Sequence, residues 1–215
     1  MSIRRRTRHS AIRVESLEAR QLLAADLVIS EFMAVNDSTL ANEAGEFVDW
    51  IEIHNATDQP ASLNGWYLTD DADQLGSWQF PDVSIPADGY QVVWASGEDR
   101  SDPAGELHTN FKLSGSGEYL ALVQPDAQTV EFQFAPEYPS QVADVAYGVS
   151  SDQSQIGFFT LPSPGSENTQ LPVDDPLRTV VINEIMYPPA ESRTDHEFIE
   201  LVNVGTESID LEGWR

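Results

Sequence analysis

From Leu27 onward, short runs of Val, Ile, Phe, Tyr and Trp alternate with polar residues, and Gly, Pro, Asn or Asp break the runs about every 8–12 residues. A period of two belongs to strands, and many short strands at such spacing predict a sandwich or barrel. The candidate strands are Leu27–Val35, Phe47–Asn55, Trp66–Asp70, Ser77–Phe80, Tyr90–Ala95, Asn110–Leu113, Tyr119–Gln124, Thr129–Phe134, Ala143–Tyr147 and Phe158–Leu161. In the second, Phe47, Ile51 and Ile53 share one face while Glu52 and His54 share the other, the pattern of a half-buried antiparallel strand. Outside the first 26 residues, no segment keeps a helical period over three turns, so the fold class is all-β.

The strands also repeat. Val28-Ile29-Ser30-Glu31-Phe32-Met33 recurs as Val181-Ile182-Asn183-Glu184-Ile185-Met186, with four identities in six positions. Trp50-Ile51-Glu52-Ile53-His54-Asn55 returns as Phe198-Ile199-Glu200-Leu201-Val202-Asn203, and Leu63-Asn64-Gly65-Trp66 as Leu211-Glu212-Gly213-Trp214, both 148 residues later. Order, spacing and residue type are kept together, so the unit repeated is a whole domain. The expected organisation is a head over 1–26, disordered or a short helix, and a domain over 27–168. A Pro- and Asp-rich linker follows over 169–178, then the start of a second, incomplete copy over 179–215. A copy that short falls below the roughly 40 residues at which even small domains need help to fold, so the sequence reads as part of a longer protein.

Composition narrows the partners. The chain has 215 residues and a formal charge of -25, but residues 1–20 carry six Arg against Glu15 and Glu18. The remainder holds 5 basic and 34 acidic residues, a charge of -29. Such a body repels nucleic acid and anionic membranes and suits a high-salt or calcium-containing medium. An Arg-rich head bound to DNA is the contrary reading, and it predicts retention on DNA-cellulose at physiological salt. There is no Cys, which removes disulfides, thiolate metal sites and Cys nucleophiles. No stretch reaches the roughly 18 apolar residues of a membrane span.

The head is not an ordinary secretion signal, because Glu15, Glu18 and Arg20 interrupt the apolar run such a signal needs. Its Arg cluster followed by Val14-Glu15-Ser16-Leu17-Glu18-Ala19-Arg20-Gln21-Leu22-Leu23 instead resembles the LEPRxLL-type leader of large exported planctomycete proteins, with Ala19 where that pattern has Pro. The resemblance implies export or cell-surface placement.

Ile29-Ser30-Glu31, Asp49 to Asn55, Leu63 to Leu68 and Trp78-Gln79-Phe80-Pro81 together resemble the lamin-tail domain family in its bacterial, extracellular form. Val93 to Ser96, Leu107 to Leu113, Gly117 to Leu122 and Pro162-Ser163-Pro164-Gly165-Ser166-Glu167-Asn168 agree with it in order. The resemblance covers 27–168, restarts at 179, and implies an immunoglobulin-like β-sandwich without enzymatic activity of its own. In bacteria such domains accompany other modules, among them spore-coat-type kinases, nucleases and adhesive repeats. The residues have a physical account beside it: Glu52 and Asn55 are expected to tie down a strand end and the next turn, and Gly65 to take a positive φ with the Trp66 indole buried behind it. Structural roles are expected for Glu31, Glu52, Asn55, Gly65 and Trp66.

Catalytic chemistry is sparse. No G-x-S-x-G elbow occurs, and His9, His54, His108 and His196 stand far apart. Gly115-Ser116-Gly117-Glu118 lacks the Lys and the Gly spacing of a nucleotide loop. His54 and His108 are read as packing or surface residues before metal ligands. Asp49 and Glu52, three apart on a strand, point to opposite faces and cannot flank one bond. No cofactor is expected, and calcium is the single ion considered. Asp71, Asp73 and Gly76 fit positions 1, 3 and 6 of an EF-hand loop, but Leu75 and Asp82 break the pattern. A looser calcium site of Asp70, Asp71 and Asp73 is weighed against a solvated acidic turn.

Two functions stay open. One is a non-catalytic extracellular or cell-surface module of a larger exported protein, serving in adhesion, as a spacer, or in binding a protein or surface polysaccharide by shape and sheet edge. The other is the accessory start of an enzyme whose kinase-like, nuclease or phosphatase domain lies beyond Arg215. The sequence does not fix the partner or the oligomeric state.

Overall fold

The computed structural model describes residues 26–173, 180–186 and 198–203. Residues 1–25 of the basic head, residues 174–178 of the linker and Leu211–Trp214 lie outside the described residues. The described chain is all strand and turn: β1 Leu27–Met33, β2 Trp50–Asn55, β3 Ala61–Ser62, β4 Tyr67–Thr69, β5 Trp78–Gln79, β6 Ser84–Ile85, β7 Tyr90–Trp94, β8 Leu120–Val123, β9 Val130–Phe134, β10 Ala146–Val149, β11 Ile156–Phe159, β12 Val180–Met186 and β13 Phe198–Asn203.

A five-stranded antiparallel sheet, β11-β10-β1-β2-β7, packs on a four-stranded one, β5-β4-β8-β9, in an immunoglobulin-like sandwich. The small ribbon β3–β6 and the hairpin β12–β13 are separate pairings. The interior joins Ile29, Phe32, Ile51, Ile53 and Val93 from the first sheet to Leu68, Trp78, Leu120, Leu122 and Phe134 from the second. Phe32 bridges them, its ring centroid 5.2 Å from Phe134 and 4.6 Å from Tyr138. Edge-on aromatic contacts of this kind add to the area they bury.

β2 departs from the half-buried reading, for all six of its residues are buried. Alternation is present, but both faces are covered. On the outer face Trp50 and Trp94 pack with Met33, Ala146 and Phe159 beneath Leu40 and Val48, which belong to the segment between β1 and β2. Asn36 holds that segment down by donating to the carbonyls of Leu40 and Val48 at 2.6 and 2.7 Å. Phe47 precedes the strand and is 46% exposed, so it does not share the face of Ile51 and Ile53.

Two other expectations shift, and two short strands were not expected. β10 starts at Ala146 rather than Ala143, because Asp144 sits at φ 59 and its carboxylate accepts the backbone N–H of Asp37 and Ser38 and the hydroxyls of Ser38 and Thr39. Asn110–Leu113 makes no strand beyond one bridge, Ser96 to Lys112, since Asn110 donates its side chain to the Ser77 carbonyl and Thr109 its hydroxyl to Phe111. β3 and β6, two residues each, are too short to leave a periodic signal.

β1 carries a bulge between Ile29 and Glu31. The bulge requires glycine beside it: a Cβ on Gly148 of β10 would lie 2.1 Å from the Ser30 carbonyl oxygen. Gly65 takes φ 82, and Trp66 behind it is half-buried against the core rather than fully buried.

Candidate functional site

The outer face of the five-stranded sheet carries the polar chemistry. Trp50, Glu52 and His54 alternate along β2 on the side away from the sandwich core, opposite Trp94, Val92 and Tyr90 of β7. Glu31 is the register partner of Glu52 across β1, and both side chains are fully buried. Two carboxylates side by side in an apolar setting are costly unless protonated or hydrogen-bonded. Hydrogen bonds to both are present here, and burial raises both carboxyls toward the protonated form.

The donors come from the bulge and from the distant segment Pro162–Asn168. The Ser30 hydroxyl donates to Glu52 Oε1 at 2.6 Å, and the backbone N–H groups of Ser163 and Gly165 donate to Glu31, at 3.0 Å, and to Glu52 Oε2. Asn168 finishes the strap: it accepts the Ser163 hydroxyl at 2.7 Å and donates to the carbonyls of Ser30 and Val149 at 3.1 and 2.9 Å. Burial pushes Glu31 up to about 8, the neighbouring Glu52 adds to this, and the Ser163 N–H pulls back. Burial likewise raises Glu52 to about 7 against the Ser30 and Gly165 donors. Raised carboxyls in pairs are what acid–base catalysis uses. These two face the strap instead of solvent, and their chemistry is that of a clamp.

Beyond the strap, at the end of β2, His54 stacks on Tyr90 with centroids 4.4 Å apart and planes 11° apart, and its Nε2 donates to Asp88 Oδ1 at 3.1 Å. His54, Asp88, Tyr90, Ser151, Ser166 and Glu167 border a cleft of about 490 Å³.

The sequence profile of the lamin tail domain matches residues 22–134. The chain belongs to the lamin tail domain family. No curated protein matches it. Lamin tail domains are non-catalytic immunoglobulin-like modules. In this lamin tail domain the profile stops at Phe134 while the sheet continues, since β10 lies beside β1 and the strap reaches back to both glutamates.

The residues singled out from sequence fall in several places. Asn55 is a turn anchor: its amide donates to the carbonyls of Gln59 and Pro86 at 2.8 Å each, and its oxygen accepts the Thr57 hydroxyl. Asp49 precedes β2 and is raised to about 6 by burial; the pairing with Glu52 is made by Glu31 instead. His54 and His108 lie at opposite ends of the β2–β7 pair, so they do not meet; His9 and His196 lie outside the described residues. His108 is fully buried, with Nδ1 2.9 Å from the Ser96 hydroxyl and Nε2 3.2 Å from Arg100 Nη1. A guanidinium only donates, so Nε2 accepts and the ring proton sits on Nδ1. Burial first, then Arg100, holds this imidazole below its usual value, against Glu98, Glu106 and Glu43.

The calcium candidates occupy the turn after β4. Asp71 Oδ1 accepts the Asp73 N–H at 2.8 Å and Oδ2 accepts the Gln74 amide at 2.8 Å, which lowers its carboxyl. Asp70 is half-buried and raised by burial, and Asp73 is exposed. Among the described residues no three His, Asp or Glu side chains converge as a metal site requires. Sequence reasoning missed the cleft. Its one available signal was His54 and Tyr90 each occurring at the end of a strand read correctly.

Proposed function

We propose that this lamin tail domain works as a non-catalytic module in a larger exported protein, at the cell surface or outside the cell, where it acts as a rigid adhesive or spacing unit. The observation behind this reading is the duplication in three dimensions: β12–β13 repeats the antiparallel register of β1–β2, with a bulge between Ile182 and Glu184 where the first has one between Ile29 and Glu31. A protein that uses the same bulged hairpin twice is built as an array of like units, and arrays present surfaces at fixed spacing. The leader-like head supports export, and the acidic body supports solubility in a saline or calcium-rich medium.

Partner recognition in this reading uses loops and a sheet edge. Leu107–Thr109 already bonds the β7 edge at Trp94, Val173 bonds the β11 edge at Phe158, and β5 has two residues. β9, five residues long, is the edge to which a partner strand can add. The loops Asp70–Gly76 and Ser96–Glu106 flank the sandwich as further contact surfaces.

Fractionation of the source cells, blotted with an antibody against residues 27–168, tests the reading. A band in the envelope or medium, well above the mass of 215 residues, is expected. A cytosolic band at the mass of this chain overturns it.

A further inference from the structure

The cleft at the end of β2 is not used by the clamp beside it. Its base is the His54–Tyr90 stack. Its walls are the turn Pro86–Gly89 and the end of the strap. The turn is fixed, because Asp88 N–H donates to the Thr57 carbonyl at 3.0 Å, Gly89 N–H to Pro86 at 3.1 Å, and Asn55 N–H to Gly89 at 2.9 Å. The strap is fixed by the buried glutamates. A cleft of about 490 Å³ between two fixed walls lies within the size range of ligand sites.

The charged groups presented there are carboxylates. Asp88 is 87% exposed at its side chain and Glu167 is exposed. Ser166 gives its hydroxyl proton to the Ser163 carbonyl at 3.1 Å, which leaves its oxygen able to accept. Among the described residues no Lys or Arg borders it. Burial, with the charges of Glu52, Asp88 and Glu167, pushes the Tyr90 phenol up to about 12, so the ring lies in a negative field. An aromatic face between carboxylates matches a flat cation rich in N–H donors, which can lie on the ring and bond to both walls.

We propose that this cleft is a binding site for a guanidinium group, with Tyr90 as its platform and Asp88 and Glu167 as its charge partners. Two sources carry that chemistry: an arginine of a separate molecule, or the chain's own Arg4, Arg5, Arg6, Arg8, Arg13 and Arg20. The second is within reach, because Val28 pairs directly with His54, so the chain enters β1 beside the cleft. Arg20 lies eight residues before Val28, and an extended chain covers at most about 3.6 Å per residue.

The test is a titration of the isotope-labelled full chain with N-acetylarginine amide, followed by NMR. Shifts concentrated at His54, Tyr90, Gly165 and Ser166 are expected. The double exchange Asp88→Asn with Glu167→Gln should weaken binding at least fivefold and leave the melting midpoint unchanged, since both side chains are exposed. A second chain with all six head arginines changed to Gln separates the sources. If the head fills the cleft, this chain binds the added ligand more tightly than the parent does and shows altered Tyr90 and Gly165 signals beforehand. Equal binding by both chains supports the site with an external arginine. The proposal is overturned if the shifts spread over the acidic surface, if methyl glucoside reproduces them, or if the Asp88→Asn/Glu167→Gln chain binds as the parent does.

Discussion

The two hairpins share a backbone plan and differ in everything that packs on it. In β1–β2, Ile29, Phe32, Ile51 and Ile53 are fully buried; in β12–β13, Ile182, Ile185 and Ile199 are 58%, 62% and 61% exposed. Yet the bulge falls at the same place, Glu184 faces Glu200 as Glu31 faces Glu52, and Asn183 donates to Glu200 as Ser30 does to Glu52. Pairing, bulge and polar cross-link are therefore written into a few local residues. Burial, and with it nearly all the stabilisation, comes from other elements, among them Leu68, Trp78 and Leu122 of the facing sheet.

The sharpest way to break this comparison is to cut matching side chains. Phe32→Ala should cost about 3–5 kcal/mol, because it removes a ring that joins the two sheets. Its counterpart Ile185→Ala should change unfolding of the sandwich by less than about 0.5 kcal/mol. Urea titrations followed by tryptophan fluorescence measure both, and equal losses would mean that the second hairpin is packed as tightly as the first.

Glu52→Ala should cost less, about 1–3 kcal/mol, by leaving the Gly165 N–H and the Ser30 hydroxyl without their acceptor. Hydrogen exchange should then speed up at Ser163 and Gly165, while Glu200→Ala leaves those amides protected. Unchanged protection in Glu52→Ala would remove the clamp from the account.

A third contrast lies in pH. Glu31 and Glu52 take up protons more readily folded than unfolded, with ordinary values of 4.5 raised to about 8 and about 7. Their contribution is complete below pH 4.5 and is lost as pH rises through about 7 to 8. His108, lowered by burial, works in the opposite sense: its share is present above its unfolded value of 6.5 and is lost as pH falls below it. Melting midpoints from pH 5 to 9 should fall toward the alkaline end, and Glu31→Gln should flatten that fall. A Glu31→Gln profile as steep as the parent's would assign the slope to the general acidity of the body.

The smallest effect is expected from metal removal. Asp71 already spends both carboxylate oxygens on Asp73 and Gln74. Millimolar calcium and EDTA should therefore give the same melting midpoint, and a rise with calcium would restore the looser site of Asp70, Asp71 and Asp73.

Most strands were legible because alternation is a local property. β2 and β7 stand within three residues of where their apolar residues place them. β10 was misplaced because Asp144 serves a turn that begins at Asp37, a pairing invisible along the chain. The half-buried reading of β2 failed because its outer face is covered by side chains that no period in β2 itself reports: Leu40 and Val48 from the preceding loop, and the strap more than a hundred residues on. Glu31 and Glu52 each recur, at Glu184 and Glu200, and were read as structural residues, but only the strand register across the bulge sets them side by side. The cleft was not legible, since Asp88 belongs to a turn and Glu167 to a strap brought 113 residues back to Glu52 by the adjoining Gly165 contact.

The strap has a mechanical consequence. A load pulling on the chain downstream of the domain meets the two Val173–Phe158 bonds first, then Asn168, then the Gly165 and Ser163 contacts with the glutamates. Each is loaded alone, so they part in sequence at low force, whereas β1 is held along both sides by β10 and β2. Stretched in an optical trap, the domain should release its tail in short early steps and keep its sheets, lengthening under tension before it yields.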